Sequence, residues 1–408
     1  MDGLLQQVVI DEATDAARRE RFPAGAAIEF ADLEEGGREG ALDRLREREP
    51  VSWVPALGGW LVTGYAAARE MLGPRTGLTV EAHENLVRAS LGHMMLTSDA
   101  DSHTRQRAPF ERPFRMREVG ALFGGAIDGE LDELLGAVRA GGGCELGQAL
   151  AAPFAVRMTG RVLGLSFADI TRIDGFYEAF AEGMVYDGNP ERQLRADAAR
   201  DELNGILGAE FARCRGEPDA SITSEVVNDG ATELADDEIA AQLRVIMFGG
   251  IETIQSGIMN TILLLLQDPG SLDTVRAEPH LLENAIEESL RLIPPVSFIE
   301  RWTPGEVEIG GVAIGEGEFL GVSVLAANRD PEVFGEPLRY DVRRDNARRH
   351  LSFSSGEHFC LGAHLARIEI QATVERLIAL PGLRLVAADP PSGFAFRRSA
   401  TLELAWDQ

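Results

Sequence analysis

The chain has 408 residues, with 66 Asp+Glu against 39 Lys+Arg and a formal net charge of −27, and every basic residue is an arginine. An apolar fraction of 45% excludes a disordered chain, and the acidic excess argues against nucleic acid, which repels a polyanion unless basic residues cluster. Three widely spaced cysteines, Cys144, Cys214 and Cys360, form neither a disulfide framework nor a zinc knuckle, so a reducing, cytoplasmic setting is expected.

The N-terminal stretch MDGLLQQVVIDEATDAARRE has no basic segment and no apolar core of signal-peptide or anchor length. Residues up to about 40 are acidic, followed by a short predicted helix over 40–49. Residues 51–64 read as a β-hairpin turning at Leu57-Gly58-Gly59, and 65–72 as an Ala-rich helix. Residues 73–99 show no period, which in a compact domain marks a functional or mobile segment. From Asp101 to about Pro269 the pattern is almost wholly helical, broken at Gly141-Gly142-Gly143 and at Asp187-Gly188-Asn189-Pro190.

Residues 236–267 form one long predicted helix of about nine turns. Its apolar run, 245–266, is interrupted by Glu252, Gln255 and Asn260, so it reads as a buried core helix and no membrane span is expected. A helix over 281–292 ends at Pro294-Pro295, residues 306–324 alternate β-type runs with Gly turns, and 328–355 are rich in Arg, Asp and Asn without period. A helix over 362–380 and short strands at 384–386 and 401–405 close the chain. With no repeat and no linker, the expected fold is a single, mostly α domain over 1–408 with small β-sheet regions.

The chemistry concentrates at Phe353-Ser-Ser-Gly-Glu-His-Phe-Cys360-Leu-Gly-Ala-His-Leu-Ala-Arg367. A cysteine here sits in a Gly-flanked loop that opens into a helix. Amides at a helix N-terminus stabilise a nearby thiolate. Gly356 and Gly362 allow backbone to approach a large planar group, and a thiolate so held suits a haem iron, donating electron density that favours O–O cleavage. A lone cysteine before a helix is usually inert; the whole F-x-x-G-x-H-x-C-x-G string is what points to a ligand.

Glu288 and Arg291 stand at i, i+3 and can pair on one helix face. In Phe248-Gly249-Gly250-Ile251-Glu252-Thr253 two adjacent glycines each cost a helix about 1 kcal/mol relative to Ala, so something is expected to approach closely. Glu252 lies in an apolar helix, where an unpaired charge is costly. His103 and Arg107, at i, i+4, share a face and can both donate to carboxylates.

These strings together resemble the cytochrome P450 haem-thiolate monooxygenases of the soluble bacterial type. The resemblance covers nearly the whole chain, departing at Ser354, where many members have Gly, and at Ile254, where a second Thr is common. It implies a triangular prism of helices holding haem b between the long central helix and the cysteine-loop helix. It implies Cys360 as the metal ligand and His103, Arg107, Arg301 and His358 as haem propionate contacts. Gly249, Phe353, Gly356 and Gly362 would complete the haem surround. Glu288, Arg291 and Arg344 would lock the fold beneath it. Glu252 and Thr253 match an acid–alcohol pair, in which the alcohol hydrogen-bonds dioxygen and the acid feeds protons through water.

The implied reaction is insertion of one oxygen atom from O2 into a hydrophobic small molecule. Electrons are expected from a separate ferredoxin and ferredoxin reductase using NAD(P)H, since the chain ends soon after the Cys360 helix. Desaturation, epoxidation or oxidative coupling on the same scaffold remain open, as does a non-catalytic haem-binding sensor. Pocket walls are implied at 79–96, 175–190, 245–253, 296–299 and 393–396, with Val296, Phe298, Ile299, Phe394 and Phe396 making them apolar. Arginines cluster at 105–117 and 339–349, segments that the resemblance puts on the ferredoxin-docking side. His83, His93, His280, His350 and His364 show no metal-ligand spacing, and Cys144 and Cys214 read as packing residues.

Overall fold

The computed structural model describes residues 10–408 except 35–39, 75, 83–84 and 186–188. The Asp187-Gly188 break and His83 lie outside the described residues. The chain divides into two compact units, one of Val80–Gln255 with Leu361–Thr373, the other of the segment up to Thr79 with Ser256–Cys360 and Val374–Asp407.

The first unit is helical. It holds α1 (Leu86–Leu91), α2 (Ala100–Glu111), α3 (Met116–Arg139), α4 (Ala152–Leu163), α5 (Ile173–Gly183), α6 (Pro190–Gly216) and the first part of α7 (Asp236–Gln267). The Gly141–Gly143 break is followed by a short strand, Gly143–Glu145. The aperiodic segment 73–99 contains α1, so it is not irregular throughout. Six residues are too few to show a period, and local capping defines the helix instead. The Asn85 side chain accepts from Arg88 N at 3.1 Å, and Gly92 ends it at φ 96°. Its last carbonyls are held from other helices. Ala89 O accepts from Gln193 (3.1 Å) and Arg200 (3.0 Å), and Leu91 O accepts from Arg244 Nε (3.0 Å).

The second unit carries the sheets. The predicted hairpin forms β1 (Val51–Val54) and β2 (Gly59–Val62), antiparallel, with Trp53 opposite Trp60. It is joined by β3 (Phe298–Trp302), the two-stranded β4 (Val307–Ile309) and β5 (Val312–Ile314), and β6 (Phe319–Ser323). The larger sheet runs β1-β2-β6-β3, with β6 parallel to β2 and antiparallel to β3. Its core gathers Trp53, Trp60, Val62, Tyr65, Leu320, Val322 and Phe334. β7 (Arg384–Ala388) and β8 (Leu402–Ala405) pair antiparallel.

The helix α8 (Leu282–Leu292) also lies here, and α9 (Ala363–Ile378) starts three residues after Cys360. Asn260, an interruption in the apolar run, is buried where its Nδ2 donates to Ile293 O (3.1 Å) and Arg397 O (2.9 Å). Among the described residues no helix is long and apolar enough to cross a membrane.

Candidate active site

In the sheet-bearing unit, Cys360 is exposed and its N–H donates to Phe353 O at 2.9 Å. That bond closes the loop Phe353–Cys360 on itself, which turns through Ser354 (φ 62°) and Gly356 (φ 68°). Gly356 is required twice over: its φ is left-handed, and a Cβ would lie 2.6 Å from Leu72 O. Phe359, beside the cysteine, is 41% exposed although apolar. The other two thiols behave differently. Burial pushes both Cys144 and Cys214 up to about 11, which disfavours their thiolate forms.

Beneath the loop, Glu288 binds Arg291 at 2.7 and 2.8 Å and Arg344 Nε at 2.8 Å, all three buried. Arg291 also donates to Asn328 O (2.9 Å) and Pro337 O (2.8 Å). This is the triad expected from the sequence, with one carboxylate shared by two guanidinium groups. A second buried pair was not foreseen: His350 Nε2 meets Glu287 Oε2 at 2.9 Å. Ser352 N donates to His350 Nδ1 at 3.1 Å, so the imidazole carries its proton on Nε2 and donates to the carboxylate. The His350 ring stands 5.7 Å from that of Phe353.

Arg301, on β3, is buried and donates to Glu300 O at 2.7 Å. Phe298 and Phe394, two of the expected pocket residues, pack on each other with centroids 4.4 Å apart, and Phe30 packs on Phe394 at 5.3 Å. His358 closes the short 3-10 turn Gly356–His358.

In the helical unit, His103 (4% exposed) and Arg107 share one face of α2, and Arg107 Nε donates to Glu111 at 3.1 Å. The two glycines of α7 divide their work. A Cβ on Gly249 would meet nothing within 4 Å, and Gly249 is exposed. A Cβ on Gly250 would sit 2.9 Å from Thr159 Oγ1 of α4. Only the first glycine leaves open space beside the helix; the second lets two helices touch. Thr253 Oγ1 donates to Gly249 O at 2.6 Å. Glu252, half-buried, has Tyr177 Oη 3.5 Å from its Oε2. The resemblance put 175–190 on the pocket wall without singling out Tyr177, which is 75 positions from Glu252 in the chain. Gly362, like Gly249, has nothing within 4 Å of a Cβ position.

These features fit a haem group. The sheet-bearing unit carries an exposed thiol and the buried Arg301, and the helical unit, taken by itself, carries the open flanks of Gly249 and Gly362 and the donors His103 and Arg107.

The arginine clusters are more neutral than the sequence suggested. Carboxylates pair with Arg105 (Glu238), Arg107 (Glu111) and Arg112 (Glu225) in one unit, and with Arg339 (Glu336), Arg343 (Glu278), Arg344 (Glu288) and Arg348 (Glu283) in the other. Among the described residues, Arg115, Arg117 and Arg349 have no carboxylate partner. Met116, between the first two, is 68% exposed.

Known proteins give the family. The family model for Cytochrome P450 matches residues 218–380, which include Glu252, Glu288 and Cys360. The chain is 36% identical to 6-deoxyerythronolide B hydroxylase of Saccharopolyspora erythraea over 363 residues, 84% of this chain and 88% of the relative. It is 33% identical to cytochrome P450 monooxygenase PikC of Streptomyces venezuelae, covering 88% and 89%. The solved structure of CalO2 superposes with a TM-score of 0.84 at 28% identity, covering 93% of this chain and 99% of that one. With that identity over most of both chains, the exposed Cys360 loop and the mostly helical fold fall into place: the protein belongs to the cytochrome P450 family and is a haem-dependent monooxygenase.

Proposed function

We propose that the whole chain works as one P450 domain that hydroxylates a hydrophobic small molecule with one oxygen atom from O2. Electrons come from NAD(P)H through a separate ferredoxin reductase and ferredoxin, in the cytoplasm. Bound haem supplies dioxygen activation, which thiolate ligation favours. Cys360 is the iron ligand in this reading. The observation that carries it is that Cys360, unlike Cys144 and Cys214, is an exposed thiol, with its amide fixed on Phe353 O. His103, Arg107, Arg301 and His358 bind the propionates, and Gly249, Phe353, Gly356 and Gly362 line the macrocycle.

The proton path falls to α7. Thr253 gives its hydroxyl proton to Gly249 O, which leaves its oxygen to accept a hydrogen bond. Glu252 is then the group placed to relay protons from water, which its half-buried position lets reach it. The hydroxylase name of the 36% identical relative favours hydroxylation over desaturation or coupling, and the apolar Phe298–Phe394 stack supports a hydrophobic substrate.

The decisive measurement is the carbon monoxide spectrum of the reduced protein. Wild type is expected to give the red-shifted thiolate-type Soret band; its retention in Cys360→Ala would refute the ligand assignment. For the partner, Arg115 makes no ion pair to lose, whereas charge reversal at Arg112 would also break its 2.7 Å contact with Glu225. Arg115→Glu is expected to slow reduction by ferredoxin severalfold at low salt, with the difference fading at high salt. An unchanged reduction rate at low salt would remove this patch from the docking surface.

A further inference from the structure

Tyr177 and Glu252 belong to different helices, α5 and α7, and the fold alone brings them together. Phe248 and Glu252 are four residues apart on α7 and so share a face. The Tyr177 ring stacks on Phe248, with centroids 5.1 Å apart and planes 26° from parallel, and its hydroxyl reaches to 3.5 Å from Glu252 Oε2. The stack fixes the direction of the phenol, whose hydroxyl donates toward the carboxyl oxygen. At 3.5 Å the contact is long, since such bonds settle near about 2.7 Å. Catalytic hydrogen bonds commonly tighten as a site fills.

We infer that Tyr177 is a positioning residue that aims the Glu252 carboxylate and couples the placement of α5 to proton delivery from α7. The inference rests on the reading of Glu252 as the proton-feeding acid. Phe248 serves as the platform for the ring.

The test is a double-mutant cycle on the haem-loaded protein. Tyr177→Phe keeps the ring on Phe248 and removes only the hydroxyl; Glu252→Gln removes the acid. Oxygen-dependent NAD(P)H oxidation is followed at saturating surrogate ferredoxin and reductase, in H2O and in D2O, and needs no identified substrate. Melting midpoints of the resting proteins are read in parallel.

Tyr177→Phe is expected to slow oxidation about fivefold, the scale of one ordinary hydrogen bond, and to raise the solvent isotope effect. In the Glu252→Gln background it should change neither, and the melting shifts of the two substitutions should be non-additive. Additive effects on rate and melting would overturn the inference. So would a Tyr177→Phe protein as fast as wild type while Glu252→Gln is slow, an outcome that leaves the reading of Glu252 standing. A Glu252→Gln protein with unchanged rate and isotope effect would sink that reading and this inference with it.

Discussion

Ser354 holds a left-handed backbone, φ 62°, six residues before Cys360, and its buried Oγ has no hydrogen-bond partner among the described residues. Left-handed geometry costs an ordinary residue roughly 1–2 kcal/mol, and an unsatisfied buried hydroxyl costs about as much again. Glycine relieves both and returns about 0.5–1 kcal/mol in chain entropy. Ser354→Gly should therefore stabilise the protein by about 1–3 kcal/mol in urea denaturation. The sequence shows a small residue where the family often has glycine; only the dihedral angle shows that it is strained.

Glu369 on α9 is a second residue-level effect. Its burial raises the carboxyl from 4.5 to about 8. Between those values the folded chain keeps a proton that the unfolded chain has released, so stability falls as pH rises across that window. Glu369→Gln removes the dependence. In urea denaturation it should gain on wild type from pH 5 to pH 8 by a few kcal/mol, roughly 1.4 kcal/mol for each tenfold fall in proton concentration. A gain constant with pH would contradict this.

At the scale of elements, α7 was legible in full. Its bounds, Asp236–Gln267, agree with the predicted span because a long apolar run ending in Asp-Pro-Gly is a strong local signal. The meaning of its glycines was not legible, because sequence cannot tell a glycine facing a helix from one facing a cavity. The structure separates them, and substitution should too. Gly250→Ala drives a methyl against Thr159 and should cost about 1–3 kcal/mol. In the haem-free protein Gly249→Ala meets open space and should be neutral or gain up to about 1 kcal/mol from helix propensity. Denaturant midpoints of the two variants check this; equal losses would contradict it. α1 was missed for the opposite reason. Its carbonyls are held by Gln193, Arg200 and Arg244, partners more than 100 residues away that no local window contains.

Across the whole molecule, the absence of lysine takes on a structural sense. Buried arginines work as multidonor clips on backbone carbonyls. Arg291 binds Glu288 and the carbonyls of Asn328, Pro337 and Arg339, and Arg397 holds Glu34, Pro391 and Gly393. A lysine ammonium has three donors and no planar fork, so it cannot replace that geometry. Arg291→Lys is expected to destabilise by about 3–5 kcal/mol, because the Glu288 and carbonyl partners would be left buried and undersatisfied. A loss below about 1 kcal/mol in thermal or urea unfolding, the scale of an exposed ion pair, would show that the triad tolerates either cation. Ion pairing likewise shows why the basic clusters overstate the local charge. Counted along the chain they look like positive patches; in space most are neutralised, leaving Arg115, Arg117 and Arg349 without carboxylate partners among the described residues.

The sequence by itself determined the family, the long helix and the Cys360 loop, because each is a local pattern: a period, a glycine at a turn, a cysteine at fixed spacing from a helix. The Glu288–Arg291 contact was legible for the same reason, three positions apart on one helix. What only the tertiary structure decided are contacts whose partners are far apart in the chain. Tyr177 against Glu252, Thr159 against Gly250, His350 against Glu287 and the carboxylates on the clustered arginines are set by how elements pack, and packing is a property that no single stretch of sequence carries.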